Sequence, residues 1–139
     1  MAVDVIEELQ QNKVIQISPQ GYSMYPLIVP GRDEMVIEPA KLDNIKRGDI
    51  ALYRGFDGRL TVHRLHHKDA GGGYFVGDNM YDIEPVVVPE LVYGRVIEII
   101  RKGKSIPANN GFYKVFTGLW LLMLPVRRPV MSFLKKIKR

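Results

Sequence analysis

The side chains that could carry out catalytic chemistry are a serine, a histidine and two aspartic acids, all within the first hundred residues. Ser23 lies in a Gly- and Pro-flanked segment, His63 in a β-like run, and Asp78 and Asp82 in a Gly-rich segment. A serine hydroxyl becomes an effective nucleophile when a neighbouring base accepts its proton, and histidine does this near neutral pH. A carboxylate on the other ring nitrogen fixes the tautomer and stabilises the imidazolium. These residue types permit acyl-transfer chemistry, provided that folding joins Ser23 and His63 across 40 positions.

Each segment also has an ordinary structural explanation. A serine beside Gly and Pro is usually a turn residue, and Gly-Asp-Asn is ordinarily a tight turn whose side chains bond their own backbone. A single histidine on a strand is more often packed or exposed than catalytic. The signal therefore lies in the order of the segments along the chain.

In that order the segments resemble the signal peptidase and LexA-type superfamily of serine proteases. The similarity runs from about Ile17 to Ile100 and depends on four elements: Gly21-Tyr22-Ser23-Met24-Tyr25-Pro26, Arg47-Gly48-Asp49-Ile50, Val62-His63-Arg64 and Gly77-Asp78-Asn79. The resemblance implies that Ser23 is the nucleophile. It also implies that His63 is the general base, as in the endoplasmic-reticulum and archaeal-type branch, where His stands in place of the Lys of bacterial enzymes and of LexA.

The acid that assists His63 is left open between two residues. The His branch takes an essential Asp from the Gly-Asp-Asn element or from a position just behind it, which favours Asp82. Asp78 is the alternative, and it can equally shape the turn that carries the site.

The segment around the nucleophile is expected to bind substrate. An oxyanion hole needs donors aimed at the developing charge, and the backbone N–H of Ser23 is the natural candidate. Gly21 stands where bacterial-type signal peptidases often carry a second serine donor, so the hole would depend on backbone groups. The residues expected to line the substrate site are Gly21, Tyr22, Met24, Tyr25 and Pro26.

No metal or cofactor is expected. Cysteine is absent, which excludes disulfides, thiolate metal sites and a cysteine nucleophile. His66 and His67 follow His63, but strand alternation puts His66 on the face opposite to the other two. The superfamily uses no metal, so we interpret His66 and His67 as surface residues.

A mainly β, compact antiparallel domain is expected to position these groups. Short runs rich in β-branched and aromatic residues alternate with Gly-, Pro- and Asp-containing turns from Val14 to Ile100. We predict a catalytic domain of the signal peptidase/LexA-protease type over residues 1–103, with a short helix over about 3–11. We predict that residues 104–139 form a basic, apolar tail with helices over 112–124 and 129–138. A loop over residues 103–111 is expected to lead into the first of these helices.

The net charge of +5 divides unevenly along the chain. Residues 1–100 hold 10 Lys/Arg and 15 Asp/Glu, whereas residues 101–139 hold 10 Lys/Arg and no acid. A packed helical hairpin and an anchor on an anionic membrane surface both explain the tail, and we favour the anchor through residues 112–139. Nucleic acid is the weakest alternative, because few polar side chains suited to reading bases accompany the charge.

These observations predict a serine endopeptidase that cleaves an extended precursor or leader peptide after a small residue. The sequence shows neither a signal peptide nor a run of about 18 apolar residues, so a cytoplasmic or peripheral membrane location is expected. A LexA-like self-cleaving regulator is less favoured, because no DNA-binding domain precedes the β part and His replaces Lys. A non-catalytic peptide-binding adaptor with the same fold is a second alternative, and the oligomeric state is left open.

Overall fold

A computed structural model describes residues 2–11, 13–19, 21, 23–25, 27–80, 82–107, 118–119 and 121. Over residues 2–107, as far as they are described, the chain forms a seven-stranded antiparallel sheet with one short α-helix. The elements are α1 (Ala2–Gln10), β1 (Ile15–Ile17), β2 (Asp33–Pro39), β3 (Ile50–Arg54), β4 (Leu60–Asp69), β5 (Gly72–Val76), β6 (Val92–Arg101) and β7 (Lys104–Pro107). Two single-turn 3-10 helices, Leu42–Asn44 and Pro89–Leu91, lie in the connections. The prediction of a mainly β, antiparallel architecture with a short N-terminal helix is confirmed.

The long strand β6 organises the sheet, whose strand order is β1-β2-β6-β3-β4-β5. β2 pairs along one edge of β6. The other edge is shared: β3 pairs with residues 92–95, and β7 pairs with residues 98–101. Chain segments far apart in sequence therefore meet at β6, which lies between β2 on one edge and β3, followed by β4, on the other.

Both faces of the sheet carry apolar clusters, so central strands are buried on both sides. Along β3, Ile50 and Leu52 belong to one cluster, and Ala51 and Tyr53 belong to the other. Such continuous burial explains why β3 reads as an uninterrupted apolar run rather than as an alternating one. The helix α1 contributes Leu9, which is 3% exposed, to the first cluster.

The sheet extends beyond the predicted boundary at residue 103. Lys102 and Gly103 have φ angles of 52° and 78°, and Arg101 faces Lys104 across this two-residue turn. Positive φ at both central positions is typical of the tight turn that matches strand twist in a hairpin. The prediction of a loop over 103–111 is therefore wrong for Lys104–Pro107, which form β7.

Most of the predicted tail lies outside the described residues. That applies to both expected helices, 112–124 and 129–138, apart from three residues of the first. Gly118, Leu119 and Leu121 are helical, with Leu121 buried and Leu119 exposed. In the described ranges, no helix has the length and apolar character needed to cross a membrane.

An irregular segment, residues 84–87, runs antiparallel along the outer edge of β5. Gly73 and Val87 exchange both backbone hydrogen bonds, at 2.9 and 2.8 Å, and the Glu84 N–H donates to the Phe75 carbonyl at 2.9 Å. The approach is close: a Cβ added to Gly72, whose φ is +141°, would stand 2.0 Å from the Val87 carbonyl oxygen. Glycine at position 72 therefore allows this segment, and Glu84 with it, to dock on the sheet.

We predict that Gly72→Ala destabilises the protein by about 3 kcal/mol, because the new methyl group meets backbone and the φ angle is strained. Urea unfolding followed by circular dichroism measures this change. Gly71→Ala is the matched control: its added Cβ would meet nothing closer than 3.3 Å, where it faces the Asp69 carboxylate. Equal stability of the two variants would contradict the close approach.

Candidate active site

The His63 ring is buried and held from its Nδ1 side. His63 faces Ala51 across the β3–β4 pair and lies on the same side of β4 as Leu65. Its side chain is 7% exposed. Nδ1 lies 2.9 Å from the Tyr53 hydroxyl and also contacts Oε1 of Glu84. Tyr53 donates its hydroxyl proton to the same Glu84 oxygen.

The ionisation of Glu84 decides which ring nitrogen of His63 carries a proton. Burial by itself raises the pKa of Glu84, but hydrogen bonds from His63 and Tyr53 outweigh it and bring that pKa below its ordinary value. Glu84 is therefore a carboxylate at neutral pH and can only accept hydrogen bonds. Since Nδ1 contacts this acceptor, Nδ1 carries the imidazole proton and Nε2 carries the lone pair. A general base needs this tautomer.

Glu84 is the functional residue that sequence reasoning missed. The expected partners of His63 were Asp82 or Asp78, whereas the structure places Glu84 against its ring and leaves Asp82 exposed. Glu84 stands two residues beyond Asp82, and its docking depends on the hydrogen bond to Phe75 on the β5 edge. A general search for any carboxylate behind the Gly-Asp-Asn turn, rather than for Asp alone, would have found it.

Asp78 pairs with Arg64, the residue that follows His63 in the sequence. Arg64 Nε and Nη2 donate to the two Asp78 oxygens at 2.9 and 2.8 Å, and both side chains are 0% exposed. Arg64 Nη1 also donates to the Gly48 carbonyl at 2.8 Å. Because Arg64 follows His63 on a strand, the two side chains leave opposite faces of β4. The guanidinium therefore ties the Gly-Asp-Ile and Gly-Asp-Asn elements to the strand that carries His63.

The turn of the expected nucleophile packs against the Gly77–Asn79 turn. The Asn79 N–H donates to the Ser23 carbonyl at 2.8 Å, and a Cβ on Gly77 would stand 2.5 Å from that same oxygen. Ser23 is half-buried. Within the described ranges, no hydrogen bond joins its hydroxyl to His63. The structure thus brings the Ser23 backbone to the turn that the Arg64–Asp78 pair ties to β4.

The expected substrate-binding residues differ in their placement. Met24 is buried in the first apolar cluster, and its carbonyl accepts hydrogen bonds from the N–H groups of Leu27 and Ile28. Tyr25 is half-buried and Gly21 is exposed. Met24 therefore anchors the turn. Two further expected residues, Tyr22 and Pro26, lie outside the described residues.

The second and third histidines form a separate pair at the far end of β4. A bulge between Leu65 and His67 brings the His66 and His67 Nδ1 atoms to 2.9 Å, and the His67 ring stacks on Tyr74 at 4.3 Å. The expectation that His66 and His67 occupy opposite faces is therefore wrong, because the bulge interrupts alternation. Across the described part of the chain, no group of three or more His, Cys, Asp or Glu residues is placed to hold a metal.

No family model, curated protein or solved structure matches this chain. The chemistry open to the chain follows from its own groups. They are a buried imidazole with Nδ1 hydrogen-bonded to a carboxylate, and a serine turn held next to the strand that carries that imidazole. An imidazole whose Nε2 carries the lone pair can transfer protons there, and a serine hydroxyl becomes a nucleophile when such a base accepts its proton.

We predict that Asp78→Asn costs about 3–5 kcal/mol of stability, because it leaves the buried Arg64 charge without its counter-charge. Chemical denaturation at neutral pH measures the loss. Asp82→Asn removes one carboxylate from an exposed position and is expected to change stability by less than about 0.5 kcal/mol. A small loss in Asp78→Asn would show that the ion pair is not structural.

Proposed function

We propose that this protein is a serine endopeptidase of the signal peptidase type, with Ser23 as nucleophile and His63 as general base. The observation that carries the proposal is the buried contact of His63 Nδ1 with the Glu84 carboxylate. This contact selects the tautomer with a basic Nε2 and stabilises the imidazolium that forms after proton transfer.

The reaction proceeds through an ester on Ser23. His63 Nε2 accepts the hydroxyl proton as Oγ bonds to the scissile carbonyl carbon, which gives a tetrahedral oxyanion. The imidazolium then donates that proton to the leaving nitrogen, the C–N bond breaks, and an amine departs. Water attacks the ester with His63 again as base, which releases the acid and restores the Ser23 hydroxyl. Glu84 keeps its own charge throughout and stabilises the imidazolium at Nδ1.

The dyad hydrogen bond forms when substrate binds. Catalytic hydrogen bonds of this kind are often long in unliganded enzymes and tighten in the complex. The Ser23 carbonyl already accepts a hydrogen bond from the Asn79 N–H at 2.8 Å, and in the substrate complex the Ser23 hydroxyl is proposed to reach His63 Nε2. The Ser23 N–H is the proposed oxyanion donor, since position 21 is a glycine and offers no side-chain donor.

The proposed substrate is an extended precursor or leader peptide with a small residue before the cleaved bond, as the family resemblance implies. The proposed location is a cytoplasmic or membrane-peripheral one, with residues 112–139 against an anionic lipid surface. Support for this anchor comes from composition: residues 101–139 contain ten basic residues and no acid, together with apolar residues such as Trp120 and Phe133.

We expect the wild-type protein to cleave members of a peptide library that carries small residues at the cleavage position. Ser23→Ala and His63→Ala should each lower the cleavage rate by at least about a thousandfold. Glu84→Gln should lower it by about a hundredfold or more, because the Nδ1 proton loses its anionic acceptor. Mass spectrometry of quenched reactions measures each rate.

Asp82→Asn is the control, since it neutralises an exposed carboxylate close in sequence to Glu84. It should retain the wild-type rate. Loss of cleavage in Asp82→Asn with normal cleavage in Glu84→Gln would contradict the assignment of Glu84. Peptide binding by all variants without cleavage by any would show a peptide-binding adaptor, and cleavage of the chain itself would show a self-cleaving regulator.

A further inference from the structure

The Tyr53 hydroxyl completes the hydrogen bonding around His63 Nδ1 and exchanges no proton with substrate in the proposed reaction. Tyr53 is 0% exposed and its ring stacks on Phe75, with centroids 4.2 Å apart and planes 19° apart. The hydroxyl lies 2.9 Å from His63 Nδ1 and also contacts Glu84 Oε1. One phenol thus touches both members of the pair that sets the tautomer.

The hydroxyl has one proton and two neighbours that can accept it. Burial, and then the hydrogen bond and charge of Glu84, raise the pKa of Tyr53 far above its ordinary value, so the phenol stays protonated. If that proton went to Nδ1, the imidazole would carry its own proton on Nε2 and could not act as a base. If it goes to Glu84, Nδ1 keeps its proton and Nε2 remains basic. An ionised acceptor makes the stronger hydrogen bond, so Glu84 receives it.

We propose that Tyr53 is a positioning residue for His63: by donating to Glu84 it holds the carboxylate at Nδ1 and leaves Nε2 to accept the Ser23 proton. This inference rests on the proposed function for its catalytic consequence, although the hydrogen-bond pattern itself is independent of activity. It has a specific corollary. Without Glu84, Tyr53 donates to Nδ1 instead and locks His63 in the inactive tautomer.

The test compares four proteins: wild type, Tyr53→Phe, Glu84→Leu and the double variant. Tyr53→Phe keeps the ring that stacks on Phe75 and removes only the hydroxyl. Nitrogen-15 NMR of the imidazole at a pH where His63 is neutral reports which ring nitrogen carries the proton. Cleavage of the best library peptide gives kcat and KM for each protein.

We expect Nδ1–H in wild type and Nε2–H in Glu84→Leu. Adding Tyr53→Phe to Glu84→Leu should raise both the Nδ1–H fraction and kcat, because the competing donor is gone. In the wild-type background the same change should lower kcat by about tenfold with little effect on KM, since the carboxylate loses its positioning hydrogen bond. A merely structural role would lower kcat in both backgrounds.

Tyr74→Phe is the matched control. It removes another tyrosine hydroxyl that hydrogen-bonds to a carboxylate. That carboxylate belongs to Asp69, which lies outside the candidate site. It should leave the tautomer and kcat as in wild type. If Glu84→Leu does not fold, Glu84→Gln replaces it and the same NMR comparison applies.

The inference is overturned if Tyr53→Phe leaves kcat unchanged in wild type and leaves the tautomer unchanged in the Glu84 variant. Failure of the proposed function gives a different result. In that case no protein cleaves peptide, while the Nδ1 and Nε2 signals still respond to Tyr53 and Glu84 as described.

Discussion

The positions of the turns around the candidate site depend on the hydrogen bonds of one buried group, the Arg64 guanidinium. Placing this charge at 0% exposure costs several kcal/mol, which only well-formed hydrogen bonds can offset. Three of its bonds go to Asp78 and to the Gly48 carbonyl. Each partner belongs to a different turn, so satisfying one side chain brings two loops to β4. The Ser23 turn then attaches to Asn79, the next residue after Asp78.

Because side chains alternate along a strand, the Arg64–Asp78 ion pair and the His63 ring lie on opposite faces of β4. Arg64 and His63 are adjacent in sequence, yet their side chains leave opposite faces of β4. Arg64 meets a full counter-charge on its face, and His63 meets Glu84 and Tyr53 on the other. The two acids differ accordingly: Asp78 balances a permanent charge, whereas Glu84 faces an imidazole whose charge changes during the proposed reaction.

Much of the fold was predictable from local patterns, because strands and turns leave short-range signals. The runs of β-branched residues became β1 to β6, and Gly77-Asp78-Asn79 formed a turn that contacts Arg64 and the Ser23 carbonyl. The role of Glu84 was not predictable in this way, since its position depends on Gly72 admitting residues 84–87 to the edge of β5. β7 was missed for another reason: it is only four residues long, three of them exposed, and its hairpin turn is Lys102-Gly103 rather than a strong turn pair.

Trapping the acyl-enzyme tests the central claim most directly. The protein is mixed with the p-nitrophenyl ester of acetyl-alanyl-alanine, quenched in acid and mapped by mass spectrometry. Attack by Ser23 displaces p-nitrophenol and leaves the dipeptidyl acyl group on Oγ. We expect this adduct on Ser23 of the wild-type protein and its absence in His63→Ala. Equal acylation of Ser23 in His63→Ala, or acylation confined to other residues, would contradict the account.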